Sequence, residues 1–120
     1  MHNILVTDDS VIMRQMLNIT LTDANYSVVE ADDGLQALEL AKTNPFDLII
    51  TDINMPKLDG LSLVRELRAL PNYQFKPILV ITTETTPQKK KTAKEAGATG
   101  WINKPFDPDK LLVAVRKVLR

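Results

Sequence analysis

The sequence has no cysteine among its 120 residues. Disulfides and thiolate metal sites are therefore excluded, and a reducing compartment fits. It has no surplus of either charge, since fifteen acidic side chains balance fifteen basic ones. A nucleic-acid binder working by bulk charge needs a basic excess, so that class falls away. No apolar run approaches the length that crosses a bilayer. Met1-His2-Asn3 leads straight into an apolar run, with no basic and apolar leader, so a cytoplasmic location is expected. There is no low-complexity tract or linker, and a chain of this length reads as one domain, residues 1–120, with no output domain.

What is present is an alternation. Ile4-Leu5-Val6, Tyr26 to Ala31, Phe46 to Thr51, Pro77 to Ile81 and Gly100 to Asn103 read as five short strands rich in β-branched residues. Between them lie stretches of helical period. Val11 to Ala24 carries Met13, Met16, Leu17 and Leu21, with Arg14, Gln15 and Asn18 on the other side. Leu35, Leu38 and Ala41 mark a second helix, and Leu61, Val64 and Leu67 a third. Pro87 opens a fourth, which carries Lys89, Lys90, Lys91 and Lys94 and ends at Gly97. Leu111, Leu112, Val115, Val118 and Leu119 line a fifth. Ser10, the Asp32-Asp33-Gly34 turn, Asp59, Thr86 and Asp107 stand where caps belong. A βα unit repeated in this way argues for an α/β fold, a parallel sheet with helices on both faces and right-handed crossovers. The fourth helix has a weak apolar stripe, so it should be the least firmly packed.

The strands deliver chemistry at their C-terminal ends. The first gives Asp8 and Asp9, the third Asp52, the fourth Thr82 and Glu84, the fifth Lys104. In an open α/β sheet that edge is where ligands bind. Three carboxylates brought together repel by roughly 4 kcal/mol per pair at about 4 Å and an effective dielectric near 20. A cation is the natural remedy, and hard oxygen ligands favour Mg²⁺. Lys104 supplies a second positive charge and Thr82 a hydroxyl donor. Carboxylate, Mg²⁺, ammonium and hydroxyl together are what an aspartyl phosphate needs. Each part also has a plainer alternative. Asp8 and Asp9 can serve as helix caps, Thr82 as a β-former, Lys104 as a solvated lysine, Glu84 as a loop carboxylate and Trp101 as core. The lysine run can be a solvated face. It is the coincidence of four strand ends that favours a site.

Asp8-Asp9-Ser10, Asp52 with Met55-Pro56, Asp59-Gly60, Thr82, Gly97-Ala98 and Lys104-Pro105-Phe106 occur in this order. As an ordered set they resemble the response-regulator receiver family of two-component signalling, and within it the stand-alone chemotaxis regulators of CheY type. The resemblance spans essentially the whole chain. It implies a doubly wound, flavodoxin-like sheet of strand order 2-1-3-4-5 with five helices. It implies that Asp52 accepts a phosphoryl group from a sensor histidine kinase. Mg²⁺ would be held by Asp9, Asp52 and the Asn54 carbonyl, with Asp8 acting through water. Lys104 would contact the phosphoryl group through a chain whose Lys104–Pro105 bond is cis, and Thr82 would move toward it. Trp101 falls where the family carries an aromatic switch residue. Asn54 and Glu84 match positions linked to fast phosphoryl loss. A phosphatase, and a flagellar motor switch protein bound at the helix 4–strand 5–helix 5 face of a monomer, are the partners it implies. Two positions depart from the pattern: Trp101 is bulkier than usual, and Asn103 stands where an apolar residue is common.

Four readings compete. The first is a signalling switch that catalyses only its own phosphorylation and dephosphorylation. A phosphorylation-independent interaction module on the same fold is opposed by the intact acidic set, and a phosphate sink or non-chemotaxis receiver would share that set. A phosphohydrolase lacks a general acid two residues after Asp52, where Asn54 stands. A flavin carrier would need a phosphate-binding loop after strand one, where Asp8 and Asp9 would repel phosphate.

Overall fold

The apolar runs form the centre of the molecule. In the computed structural model, which describes residues 2–84 and 86–119, five strands make one sheet: β1 (Asn3–Thr7), β2 (Ser27–Ala31), β3 (Leu48–Thr51), β4 (Ile78–Thr82) and β5 (Gly100–Asn103). All pairings are parallel and the order is β2-β1-β3-β4-β5. This is the order the resemblance implied. Every residue of β3 and β4 is buried, as strands covered on both faces must be.

Helices α1 (Val11–Asp23), α2 (Gly34–Thr43), α3 (Gly60–Arg68), α4 (Pro87–Ala96) and α5 (Pro108–Leu119) connect the strands. Side-chain alternation along the sheet produces two cores. Leu5, Ile49 and Val80 pack with α2 and α3 on one side. Val6, Ile50 and Ile81 pack with Leu17 and Leu21 of α1 and with Leu111 and Val115 of α5 on the other. The expected caps are in place at Ser10, Asp33, Asp59 and Thr86, each accepting from an amide three residues on. Asp107 accepts from Asp109 and Lys110 at the start of α5.

Two expectations are corrected. Met16 and Leu35, assigned to buried stripes, are 46% and 47% exposed. In α2 the buried face is Gly34, Ala37, Leu38 and Ala41, so small residues seat the helix. A Cβ at Gly34 would collide with the carbonyl of Leu58, which is why the chain can approach there only with glycine. Phe46 is buried but precedes β3 rather than opening it. As expected, α4 is weakly seated, with Ala93 alone buried among its described side chains. Its C-terminal end is held differently. Gly97 adopts φ 114°, and its carbonyl accepts both Nε (2.9 Å) and Nη2 (2.7 Å) of Arg68 from α3.

Candidate functional site

The C-terminal edge of the sheet is built residue by residue. The Asp8 amide donates to Ala31 of β2, so the pairing of β1 with β2 continues into the loop. The Asp52 amide donates to Thr7, which places the end of β3 beside the end of β1. The Lys104 amide donates to Thr82, which brings the end of β5 beside β4. These backbone bonds bring the three chain ends together. Gly60 contributes too, because a Cβ there would meet the carbonyl of Asp52; the start of α3 can therefore close against the strand end. The Lys104–Pro105 peptide is cis, and Phe106 beyond it anchors in the α1–α5 core.

Asp8, Asp9 and Asp52 each present an oxygen within 4.8 Å of the others. Lys104 Nζ donates to Asp8 Oδ2 at 2.6 Å and to Asp52 Oδ2 at 2.8 Å. Asp8 is fully buried, and its Oδ1 accepts from the Ser10 amide. Asp52 is nearly so, and its Oδ1 accepts from the Ile53 amide at 2.7 Å. Asp9 is exposed, and among the described residues its carboxylate accepts no hydrogen bond.

Burial pushes the Asp8 carboxyl above its ordinary range, despite the Lys104 ammonium and the Ser10 amide that pull it down; the Asp52 charge adds to the rise. Burial also acts against charge on Lys104, but the bonds to Asp52 and Asp8 outweigh it and raise its pKa. The one ammonium in contact with the cluster among the described residues is thus firmly held in its charged form. Three carboxylates against one ammonium leave a formal charge of −2 at the mouth of the cleft. Hard oxygen donors, an uncommitted Asp9 and an Asn54 carbonyl that accepts no bond among the described residues fit a divalent cation such as Mg²⁺. A carboxylate fixed beside an ammonium and such a cation can act as a nucleophile toward a phosphoryl group, whose charge they would offset.

The structure therefore unites Asp8, Asp9, Asp52 and Lys104. It keeps the remaining expected residues one step away. Thr82 is buried, and its Oγ1 accepts from the Glu84 amide at 3.2 Å rather than touching the acids. Asn54 Nδ2 donates to Glu84 Oε1 at 3.3 Å, spanning from the β3 loop to the β4 loop. Trp101 is half-buried on β5, its Nε1 donating to Asn103.

Sequence reasoning missed Arg14, which it placed outward. Its Nη1 donates to the Asp8 carbonyl at 2.6 Å, and its Nε pairs with Glu30 at 3.2 Å. Asn18 donates to the other oxygen of Glu30. From behind, this group fixes the turn that carries the two acids. The available signal was Glu30 itself, a carboxylate in an apolar strand that needs a partner.

The family described as Response regulator receiver domain matches residues 4–116. A Campylobacter jejuni protein described as a chemotaxis protein CheY homolog is 40% identical over 118 residues, covering 97% of this chain and 91% of its own. The solved structure of the Vibrio cholerae chemotaxis response regulator CheY4 superposes with TM-score 0.95 at 48% identity, covering 99% of both chains. The receiver domain of the Pseudomonas aeruginosa sensor histidine kinase PA1611 was solved with a magnesium ion coordinated in its active-site cleft. It gives TM-score 0.92 at 28% identity, covering 98% of this chain and 97% of that one.

Proposed function

The chain belongs to the response regulator receiver domain family, and on that premise we propose that it is a phospho-accepting switch whose acceptor is Asp52. The observation that carries this reading is the pairing of Asp52 with Lys104 inside the Asp8–Asp9–Asp52 cluster. A carboxylate oxygen of Asp52 attacks the phosphorus of a phosphohistidine on a sensor histidine kinase. The P–N bond breaks, and the histidine nitrogen leaves with the bonding pair and takes a proton. Lys104 stays with the phosphoryl oxygens and offsets their charge. Asp9, Asp52 and the Asn54 carbonyl would hold Mg²⁺, with Asp8 acting through water; the ion supplies charge neutralisation on the transferred group. Dephosphorylation is attack by water on the same phosphorus, and Asn54 and Glu84 flank its approach. Their position supports a short-lived signal, with a phosphatase able to shorten it further.

Phosphorylation adds negative charge and strong acceptors beside Thr82. Thr82 then leaves the Glu84 amide for a phosphoryl oxygen, and the β4–α4 loop, α4 and Trp101 shift population. Output is protein binding at the α4–β5–α5 face, in the cytoplasm. The likeness to the CheY homolog of Campylobacter jejuni and to CheY4 supports a chemotaxis setting, in which the reader is a flagellar motor switch protein.

Incubation with Mg²⁺ and acetyl phosphate tests the core of this. A labile phosphoryl adduct is expected by intact mass, together with a change in Trp101 fluorescence, both absent in Asp52→Ala. An unmodified chain under every donor would instead point to a phosphorylation-independent module. Sustained turnover of varied phosphoesters would point to a phosphohydrolase. Binding to a purified motor switch protein that does not respond to phosphorylation would remove the chemotaxis reading and leave the switch.

A further inference from the structure

Asn103 has no part in the acidic cluster, yet its side chain is specifically engaged. It occupies the last position of β5. Asparagine is a poor strand former, and its ordinary use there is to start a turn by bonding the backbone two residues on. That use is not what the structure shows. Asn103 Oδ1 accepts from Trp101 Nε1 at 2.9 Å, and among the described residues its side chain bonds no backbone group. The indole N–H has one donor to satisfy and finds its acceptor two residues along its own strand.

The register gives this bond a consequence. Trp101 pairs with Val80, and Asn103 pairs with Thr82. Alternation puts all four side chains on the face that packs against α3 and α4. Trp101 thus lies next to Val80 and is tethered to a residue beside Thr82. It also lines two clefts, one on each side of β5. The larger, about 530 Å³, runs past Phe75 and Val118 toward α5. The smaller, about 270 Å³, lies under Lys90 and Lys94 of α4. Because Trp101 lines both, a turn of the indole away from Asn103 would reshape both clefts at once.

We propose that Asn103 is a positioning residue that latches Trp101 in the resting state, so that release of the indole from Asn103 is the step that links Thr82 to the surface of β5. The latch stands on the resting geometry alone. Its link to Asp52 rests on the phospho-accepting reading above.

The chain has one tryptophan, so its indole N–H gives a single side-chain resonance in a ¹⁵N-labelled sample. Asn103 is exposed, so substitutions there leave the core intact. In the unphosphorylated protein the indole N–H should exchange with water roughly three- to tenfold more slowly than in Asn103→Leu, as a net hydrogen bond implies. Asn103→Asp, which keeps an acceptor oxygen, should restore the slow exchange. Equal exchange in the wild type and Asn103→Leu would overturn the latch.

A second arm adds Mg²⁺ and acetyl phosphate and follows intact mass and Trp101 fluorescence together. Asn103→Leu should reach the full fluorescence change at roughly three- to tenfold lower donor concentration, because less of the equilibrium must be shifted. If adduct forms but the two proteins respond at the same donor concentration, the link to Asp52 is overturned and the resting bond stands. If the wild type forms no adduct at all, the phospho-accepting reading fails and the exchange measurement alone decides the latch.

Discussion

Thr7 carries a hydroxyl that its surroundings do not use. It is fully buried at the end of β1, and its Oγ1 has no hydrogen-bond partner among the described residues. Its neighbour across the sheet, Thr51, sends its own hydroxyl to the Asp52 carbonyl. A buried, unpaired hydroxyl costs free energy, whereas a methyl of the same shape does not. Thr7→Val should therefore raise stability by about 1 kcal/mol, read as a higher urea midpoint with an unchanged slope. Asp33 shows the opposite case. Its carboxylate accepts from the Gln36 amide at 2.8 Å, and that bond, with help from Lys57, holds its pKa below the ordinary 3.8 against the effect of burial. A lowered folded-state pKa means stability that is present above the unfolded value and lost as pH falls through the folded one. Asp33→Ala should cost about 1 kcal/mol at neutral pH. The gap from the wild type should narrow below pH 3.8, as thermal melts across an acid series would show. Single residues were unevenly legible. Asp8, Asp9, Asp52 and Lys104 could be placed because each ends a strand, and strand ends in a parallel sheet meet. Thr7 and Arg14 could not, since their significance depends on which groups lie nearby and no local pattern encodes that.

Elements were legible where one apolar face stood out and less so where it did not. In α3, Leu61, Val64 and Leu67 are all buried, as their spacing implied. In α1, Val11, Ile12, Met16 and Ile19 are exposed alongside the buried Leu17 and Leu21. Apolar residues surround much of that helix, so period alone could not select the face. In α2 the buried face is largely glycine and alanine, which register weakly as hydrophobic yet allow close approach. The attachment of α4 at its C-terminal end was hidden for another reason: one long side chain from another helix supplies it beside the small Ala93 and Ala96. Besides gripping Gly97, Arg68 donates to the carbonyls of Tyr73 at 2.7 Å and Lys76 at 2.6 Å. It therefore ties the end of α4 to the segment that leads into β4. The N-terminal turn of α4 is held, among the described residues, by its Thr86 cap and Pro87 start. Hydrogen exchange should find α4 amides less protected than those of β1, β3 and β4, with the last turn of the helix slower than the first. Arg68→Ala should erase that gradient, speed exchange near Lys76 as well, and cost about 2 kcal/mol of stability.

At the scale of the molecule, the sheet brings together charges that oppose its own folding. Adjacent parallel strands deliver Asp8 and Asp52 to the same point, and Asp9 lies beside them. Lys104 arrives from β5 at the other side of the sheet order and bonds two of the three. Burial is the main cause of the raised Asp8 pKa and the Asp52 charge adds to it, so Lys104 does not offset the whole cost of gathering these carboxylates. A divalent cation binding only the folded state would complete it, and would stabilise the protein by about 2.7 kcal/mol at a concentration one hundred times its dissociation constant. Lys104 and such a cation would therefore perform overlapping electrostatic work, and removing the lysine should shift that work to the metal. In metal-free buffer, Lys104→Gln should melt at a lower temperature than the wild type, because the cluster loses the ammonium that bonds Asp8 and Asp52. Its affinity for Mg²⁺ should rise by roughly tenfold or more, since a unit charge about 5 Å from a divalent cation repels it by about 7 kcal/mol at an effective dielectric near 20, of which solvent screening leaves a fraction. The melting temperatures of the two proteins should then converge as Mg²⁺ is added. Asp9→Asn, which removes the most accessible ligand, should melt at or above the wild-type temperature without metal and gain little from Mg²⁺. Calorimetric melts of the three proteins over a Mg²⁺ series measure both effects. Parallel, metal-independent shifts would show that Lys104 supports the fold without sharing the cluster with a cation.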